Sequence, residues 1–414
     1  MKLKSSEPFW LVRNGLLHSY PSLAKDTETD VLIIGGGITG ALMAHQCMKD
    51  GYRTVLADRR EVAHGSTSAT TSMLQYETDM PLYRLLQLHG EKAAVNVYRS
   101  CFNAIGMLSG IVREIASDAG FEEKDSFYFA ARKKDVPWLR QELDARRTYG
   151  FPVRWLSAGE AEERYGLQHT QGGILSAGAA AIDAFHFTHD LLAFHHKQGL
   201  EIFDKTDIRR VRHTRQGIEA ITEHGDRIRA RRLVWCGGYE SVRLIPEEPV
   251  RLFSTWAIAG ERCPQSLKYL QHTLFWNTTS PYTYLRATDD NRLLIGGADE
   301  DFVSAELRDA LLAKKAAQLE KYLHRILPDI PFRTDFVWAG TFGGTPDSLP
   351  YVGTHPGYPH TYFVLGFGGN GITFSLCAME MISAMLRKKK HPLMPVFRFG
   401  RYGPYAGAVS PRAL

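Results

Sequence analysis

Gly35, Gly37 and Gly40, followed 18 residues after the last of them by Asp58, have the types and spacing to hold a dinucleotide. In the pattern G-x-G-x-x-G the first glycine makes a tight turn and the second lets a pyrophosphate approach the backbone. The third lets a helix pack close on a strand. The helix that opens at Ile38 and Thr39 would turn its free N–H groups and positive dipole end toward the phosphates. Asp58, with Arg59 beside it, stands where a carboxylate accepts hydrogen bonds from an adenosine ribose. An acid at that position argues against a 2′-phosphate, and so against NADP.

The elements around these residues supply the context that the motif needs. Val31-Leu32-Ile33-Ile34 is aliphatic without polar alternation, as in a strand buried on both faces of a parallel sheet. A helix over 39–50 and a second strand over 54–58 follow. Next comes a run of small and hydroxylated residues, Gly65-Ser66-Thr67-Ser68-Ala69-Thr70-Thr71-Ser72. Such a segment can thread between a bound group and the sheet, with hydroxyls and N–H groups free for phosphates. A strand over 233–236 runs straight into Gly237-Gly238, a second place for close backbone approach. Near the end, a strand over 362–365 leads into Gly366-Phe367-Gly368-Gly369-Asn370-Gly371-Ile372 and a helix to about residue 387. This repeats the opening logic of strand, glycine corner and helix N-terminus.

The chain has 414 residues, 44% of them hydrophobic and 23% charged, which bounds it as a globular protein of two domains. A net charge of +5 is small for this length and gives no reason to expect nucleic acid. No signal peptide and no run of about 20 apolar residues is seen, and a cytoplasmic location is expected. Cys47, Cys101, Cys236, Cys263 and Cys377 are scattered, as reduced thiols would be. His186, His189, His195 and His196 share one helical stretch, but no acid completes a metal set, so no metal is expected.

Elsewhere the pattern is mixed. Residues 1–29 read as a leader with no element of its own. Helices are expected over 81–147, interrupted by a strand at 126–130, with one helix over 136–148. Ser157 and Glu160 form a capping-box pattern. Further helices are expected over 184–197 and 304–326. Short strands are expected at 201–203, 207–213, 217–222, 226–230, 249–260, 283–288, 293–297 and 336–341. In the segment Pro281-Tyr282-Thr283-Tyr284-Leu285-Arg286, period-two alternation puts Tyr282, Tyr284 and Arg286 on one face. An arginine with two tyrosines could clamp a substrate carboxylate. Trp256 and Trp276 could wall a cavity. The tail Arg387-Lys388-Lys389-Lys390-His391, with Phe397, Phe399, Tyr402 and Tyr405 beyond, reads as a solvated helix end, and membrane contact is not expected.

Together these segments resemble the flavin-dependent D-amino acid oxidase superfamily, which includes glycine and sarcosine oxidases. The match covers nearly the whole chain after residue 28. It is carried by the opening glycines with Asp58, by 65–72, by 234–238, and by the block from Gly340 through Thr345-Pro346-Asp347 to Ile372. The fold class implied is α/β: a Rossmann-type FAD-binding domain interleaved with an α+β substrate domain built on an antiparallel sheet. The first would take 1–90, 172–243 and 334–392 and the second 91–171 and 244–333, leaving 393–414 as a tail. The cofactor implied is FAD, with Gly340 and the corner Gly368 to Ile372 near its ring and the opening glycines near its adenosine. Gly340-Thr341-Phe342-Gly343 stands where many relatives carry an arginine or a covalently attached cysteine, which points to non-covalent FAD. The chemistry implied is oxidation of a C–N bond in a small amine or amino acid by hydride transfer, with oxygen or another acceptor reoxidising the flavin. No lysine occurs over 250–262, where sarcosine-oxidase-type members use one toward oxygen. The alternatives are a flavin dehydrogenase of a hydroxy compound, akin to glycerol-3-phosphate dehydrogenases, and a non-catalytic flavin-binding protein.

Overall fold

The computed structural model describes residues 1–5, 7–245, 250–365 and 367–403. Among these residues the strands form two sheets. The eight-stranded sheet runs Tyr351–Thr354, Thr361–Leu365, Arg227–Trp235, Thr27–Ile34, Thr54–Ala57 and Glu201–Phe203, with Ile208–His213 and Ile218–Thr222 attached through Arg227–Trp235. Thr27–Ile34 lies parallel between two neighbours, with Leu32 opposite both Leu233 and Val55. A parallel strand covered on both faces has no polar side, which is why Val31, Leu32 and Ile33 are all buried. Helices Ile38–Lys49, Ala184–His196 and Gly371–Leu386 contribute to the core on one face of this sheet.

The nine-stranded sheet runs Thr334–Gly344, Arg251–Gly260, Leu293–Glu300, Tyr284–Ala287, Thr273–Asn277, Glu122–Phe129, Gly173–Ala181 and Met73–Leu74, with Val153–Leu156 paired to Gly173–Ala181. Its described pairings are antiparallel except for Thr273–Asn277 beside Glu122–Phe129. Helix Leu312–Ile326 packs against this sheet through Leu319, Leu323 and Ile326.

Several expectations are corrected. Gly173–Ala181 and Thr334–Gly344 open segments that the sequence reading placed with the nucleotide unit, yet both hydrogen-bond into the nine-stranded sheet. Gly178, at φ +86°, lets helix Glu91–Glu114 sit against Gly173–Ala181: a Cβ there would meet the Phe102 ring at 2.5 Å. The leader carries helix Phe9–Asn14, anchored by buried Phe9 and Trp10. Before it, Leu3 and Ser5 bond to the edge of Thr334–Gly344, Thr341 N to Leu3 O at 2.8 Å and Ser5 N to Ala339 O at 2.9 Å. The long helix of 304–326 is two, Ala305–Ala310 and Leu312–Ile326. The buried Arg308 guanidinium pins the first by donating to Lys2 O and Thr341 Oγ1, both at 3.1 Å. The strands expected at 226–230 and 233–236 are one, Arg227–Trp235, because it pairs along its length with Thr27–Ile34. Five strands were not anticipated: Met73–Leu74, Val153–Leu156, Gly173–Ala181, Thr273–Asn277 and Tyr351–Thr354. The capping box forms, with Ser157 Oγ accepting from Glu160 N at 3.2 Å and Glu160 Oε2 accepting from Ser157 N at 2.7 Å. The expectations that involve Pro249, Gly366 and Tyr405 lie outside the described residues.

Candidate active site

A cavity of about 490 Å³ lies between the two sheets. Gly35 and Gly37 open it at the end of Thr27–Ile34. Gly35 has φ +107°, and a Cβ there would sit 2.4 Å from the carbonyl oxygen of Cys236. A Cβ on Gly40 would sit 1.8 Å from Gly35 O, so this glycine stands behind the cavity and sets the helix-to-strand distance. Ile38 and Thr39 line the cavity. The Ile38 N–H, expected to face a phosphate, instead donates to Thr67 Oγ1 at 3.0 Å.

Asp58 also lines the cavity. Its two oxygens accept from Gly36 N at 2.6 Å and Arg60 N at 2.8 Å, which orients the carboxylate. Burial pushes the Asp58 carboxyl up, and those N–H groups with Arg60 and Arg59 pull it back. Arg59 lines the cavity and is paired with Glu240, as is Arg60.

In the small-residue segment, Gly65, Ser66, Thr67 and Thr71 line the cavity. Ser66 Oγ is buried without a hydrogen-bond partner, as a hydroxyl awaiting a ligand would be. Ser68 and Ser72 are not in the wall. Ser68 Oγ donates to Gly65 O at 2.9 Å, and Ser72 is buried in a left-handed turn at φ +55°. Gly237, Gly238 and Gly340 reach the cavity, as do Gly368, Gly369, Gly371 and Ile372 of the C-terminal corner. Asn370 does not. Its Nδ2 donates to Glu77 O at 2.7 Å and Gln75 O at 3.3 Å, tying that corner to the segment after residue 72.

Tyr282 and Tyr284 line the cavity with ring centroids 5.7 Å apart, but Arg286 does not. Tyr282 precedes strand Tyr284–Ala287, so the alternation did not extend to all three residues. Arg286 is buried: Nε donates to Thr71 O at 2.7 Å, an Nη to Ile182 O at 3.3 Å, and the guanidinium lies over Trp10. Burial lowers its pKa to about 10. With Nε and one Nη engaged inside the fold, Arg286 does not reach the cavity wall beside the two tyrosines. Trp256 and Trp276 are likewise absent from the wall. Trp256 Nε1 donates to Arg308 O at 3.1 Å and Trp276 stacks on Tyr128 at 3.5 Å.

Sequence reasoning missed Thr255, Asp299 and Asp79. Asp79 Oδ1 accepts from Tyr282 Oη at 3.1 Å and Oδ2 from Gly369 N at 3.0 Å. Asp299 shares the wall with Thr255 and Tyr284. Burial is the main reason that the Asp299 carboxyl is pushed up to about 6 and that both tyrosine hydroxyls are pushed up; Asp79 and Asp299 add to the effect on Tyr282. Neither acid belongs to a motif. Asp79 follows the Gln75–Thr78 segment that Asn370 grips, and Asp299 is the penultimate residue of Leu293–Glu300, after six apolar or glycine residues. That placement was the one available signal.

The histidines on Ala184–His196 diverge. His195 bonds His45 at 2.8 Å, while His186 meets Asp118 at 3.2 Å and Asp190 at 3.5 Å. Two acids therefore do converge on His186, contrary to expectation. Asp118 is exposed, and none of the three borders the cavity.

The walls fit an extended dinucleotide. Three glycine corners, an oriented carboxylate and the hydroxylated segment at Ser66 and Thr67 line one cavity, and the first residues of helices Ile38–Lys49 and Gly371–Leu386 border it. The relatives agree. A Bacillus subtilis (strain 168) protein named for a Rieske 2Fe-2S iron-sulfur centre, YhfW, is 24% identical over 409 residues, 96% of this chain and 76% of that one. Glycine oxidase of Geobacillus kaustophilus (strain HTA426) is 25% identical over 381 residues, 87% of this chain and 93% of that one. The crystal structure of glycine oxidase from Geobacillus kaustophilus superposes with a TM-score of 0.77 at 21% identity, covering 91% of this chain and 99% of that one. The family model described as DAO, FAD dependent oxidoreductase, matches residues 30–385. With FAD as its cofactor, this chain belongs to the FAD-dependent oxidoreductases of the DAO family.

Proposed function

We propose that this enzyme oxidises the C–N bond of a small amine or amino acid. The observation that carries the reading is that the glycine corners of the eight-stranded sheet and the tyrosine pair of the nine-stranded sheet open on the same cavity. Bound FAD supplies a hydride acceptor, and the imine left on the substrate hydrolyses to a carbonyl compound and an amine or ammonia. The similarity to glycine oxidase supports the C–N bond as the point of attack.

The chain's own residues have the remaining work. Gly35, Gly37, Thr39, Asp58 and Ser66 would hold the adenosine and pyrophosphate, and Gly368 to Ile372 the ring end. Helix Gly371–Leu386 would stabilise negative charge there through its N-terminus. Tyr282 and Tyr284 would wall the reacting carbon and help to exclude water. The unit around the eight-stranded sheet would thus carry FAD and the nine-stranded sheet the substrate. The flavin is taken as non-covalent. Residues 340–343 hold no cysteine or histidine, and burial pushes up the thiol of Cys236, which borders the cavity.

The test is anaerobic. Protein loaded with FAD is mixed with amines, amino acids and hydroxy acids while the flavin colour is followed, then exposed to oxygen or a dye. Bleaching by a compound bearing C–H next to nitrogen supports the reading. Bleaching by hydroxy acids alone would replace it with a hydroxy-compound dehydrogenase. A flavin that no member of the three classes reduces would remove the proposed activity.

A further inference from the structure

The end of the cavity under the nine-stranded sheet is built for positive charge. Strand Leu293–Glu300 is irregular against Arg251–Gly260: Trp256 pairs with Gly297 and Ser254 with Glu300, so Ala298 and Asp299 together oppose Thr255. Gly297 and Ala298 both have positive φ, +133° and +58°. A bulge that holds a non-glycine residue in the left-handed region costs free energy, and such devices re-aim side chains at functional sites. Here it brings Asp299 into the wall with Oδ1 buried and unpartnered. Lys315, the nearest cation, is engaged elsewhere, donating to Ala298 O and Glu300 Oε1, both at 2.7 Å. Beyond Tyr282, Asp79 adds a second carboxylate.

Lys315 acts on Asp299 from outside the wall, and among the described residues no cation of the wall stands beside these acids. Among the described residues, the cationic side chains lining the cavity are Arg59 and Arg60, both paired with Glu240 beside Asp58. Arg286, the residue suited to grip a carboxylate, points away. A substrate carboxylate at this end would meet Asp299 in the wall, with Asp79 behind Tyr282, and no partner, at a cost of several kcal/mol in a buried site. An ammonium in the cavity would pair with the Asp299 carboxylate of the wall.

We propose that this end of the cavity receives a cationic amine without a carboxylate, an alkylamine or polyamine rather than an amino acid, with Asp299 as its direct partner and Asp79 reinforcing the charge through Tyr282. The inference rests on the amine reading above and narrows its substrate class.

The experiment has two arms, both on the FAD-loaded protein. In the first, the flavin's visible spectrum is titrated with butyltrimethylammonium and with pentanoate, a cation and an anion that are not substrates for this chemistry. The cation is expected to perturb the spectrum and the anion not. Asp299→Asn is expected to weaken the cation about tenfold or more, and Asp79→Asn by less. Tighter binding of pentanoate, or equal cation binding by wild type and D299N, would overturn the inference. If D299N fails to hold flavin, the wild-type comparison and D79N decide. In the second arm, butylamine and glycine are compared as reductants. Efficient reduction by glycine with none by butylamine overturns this inference and leaves amine oxidation standing. Cation-selective binding with no reduction by either compound upholds the cationic site and removes the amine-oxidation reading.

Discussion

Arg286 Nε donates to the carbonyl oxygen of Thr71 at 2.7 Å, joining a strand of the nine-stranded sheet to the segment that walls the cavity. We expect Arg286→Ala to lower stability by about 3 kcal/mol, because Thr71 O and the buried Ile182 O lose their donor and the guanidinium leaves a hole over Trp10. Thermal melting with and without FAD checks this. A carboxylate clamp would instead raise KM and leave the melting curve in place.

Gly40 sits where a methyl group has no room. Its Cβ would meet Gly35 O, which is backbone and cannot swing aside. Gly40→Ala should drive the helix from the strand and weaken FAD by about 100-fold or more. The flavin-to-protein absorbance ratio after purification reads this directly. A yellow G40A protein with wild-type flavin content would contradict the packing role.

Asp299 makes stability depend on pH in a stated direction. Its carboxyl titrates near 6 in the fold, against an ordinary value of 3.8 in the unfolded chain. Between those values the unfolded state releases its proton first while the folded state keeps it. Its contribution therefore falls as pH rises from about 4 to about 6, and stays reduced above that. Asp204, also pushed up to about 6, acts in the same sense but is common to both proteins compared. We expect cofactor-free D299N to be more stable than wild type at pH 7, with the gap closing toward pH 4. Denaturant melts across this range check it.

Asp347 of the Thr345-Pro346-Asp347 turn is gripped by Arg401, whose Nη2 reaches Oδ1 at 2.7 Å and Nε reaches Oδ2 at 2.9 Å, and His89 bonds Oδ2 at 3.0 Å. Those partners hold the Asp347 carboxyl well below the usual carboxylate range against its burial. Arg401→Met should cost about 3–5 kcal/mol, because a buried carboxylate is stranded. Adding Asp347→Asn should recover part of that loss. A double-mutant cycle measures the coupling.

The frame of the molecule was legible where local chemistry alone decides the outcome. Gly35, Gly37 and Gly40 were readable from their spacing, although only Gly40 is crowded by its own turn, at Gly35 O, while Gly35 and Gly37 are crowded by Cys236 and Thr67. Ser157 and Glu160 cap their own helix. Gly173–Ala181 was unreadable as a strand of the second sheet because alanine and glycine carry little strand preference, and its place depends on the Phe102 ring of a helix far upstream. Arg286 was misread because alternation gives a face and not what lies against it. Asp79 and Asp299 were invisible because three separated segments create their significance.

Leu3 and Ser5 zip onto residues 339–341, so one edge of the cavity wall is stitched from stretches more than three hundred positions apart. During synthesis the early stretch must wait for the late one, and loop closure over such a span is slow. The flavin berth is therefore finished after translation has passed the late strand, and holoenzyme assembly belongs to the completed polypeptide.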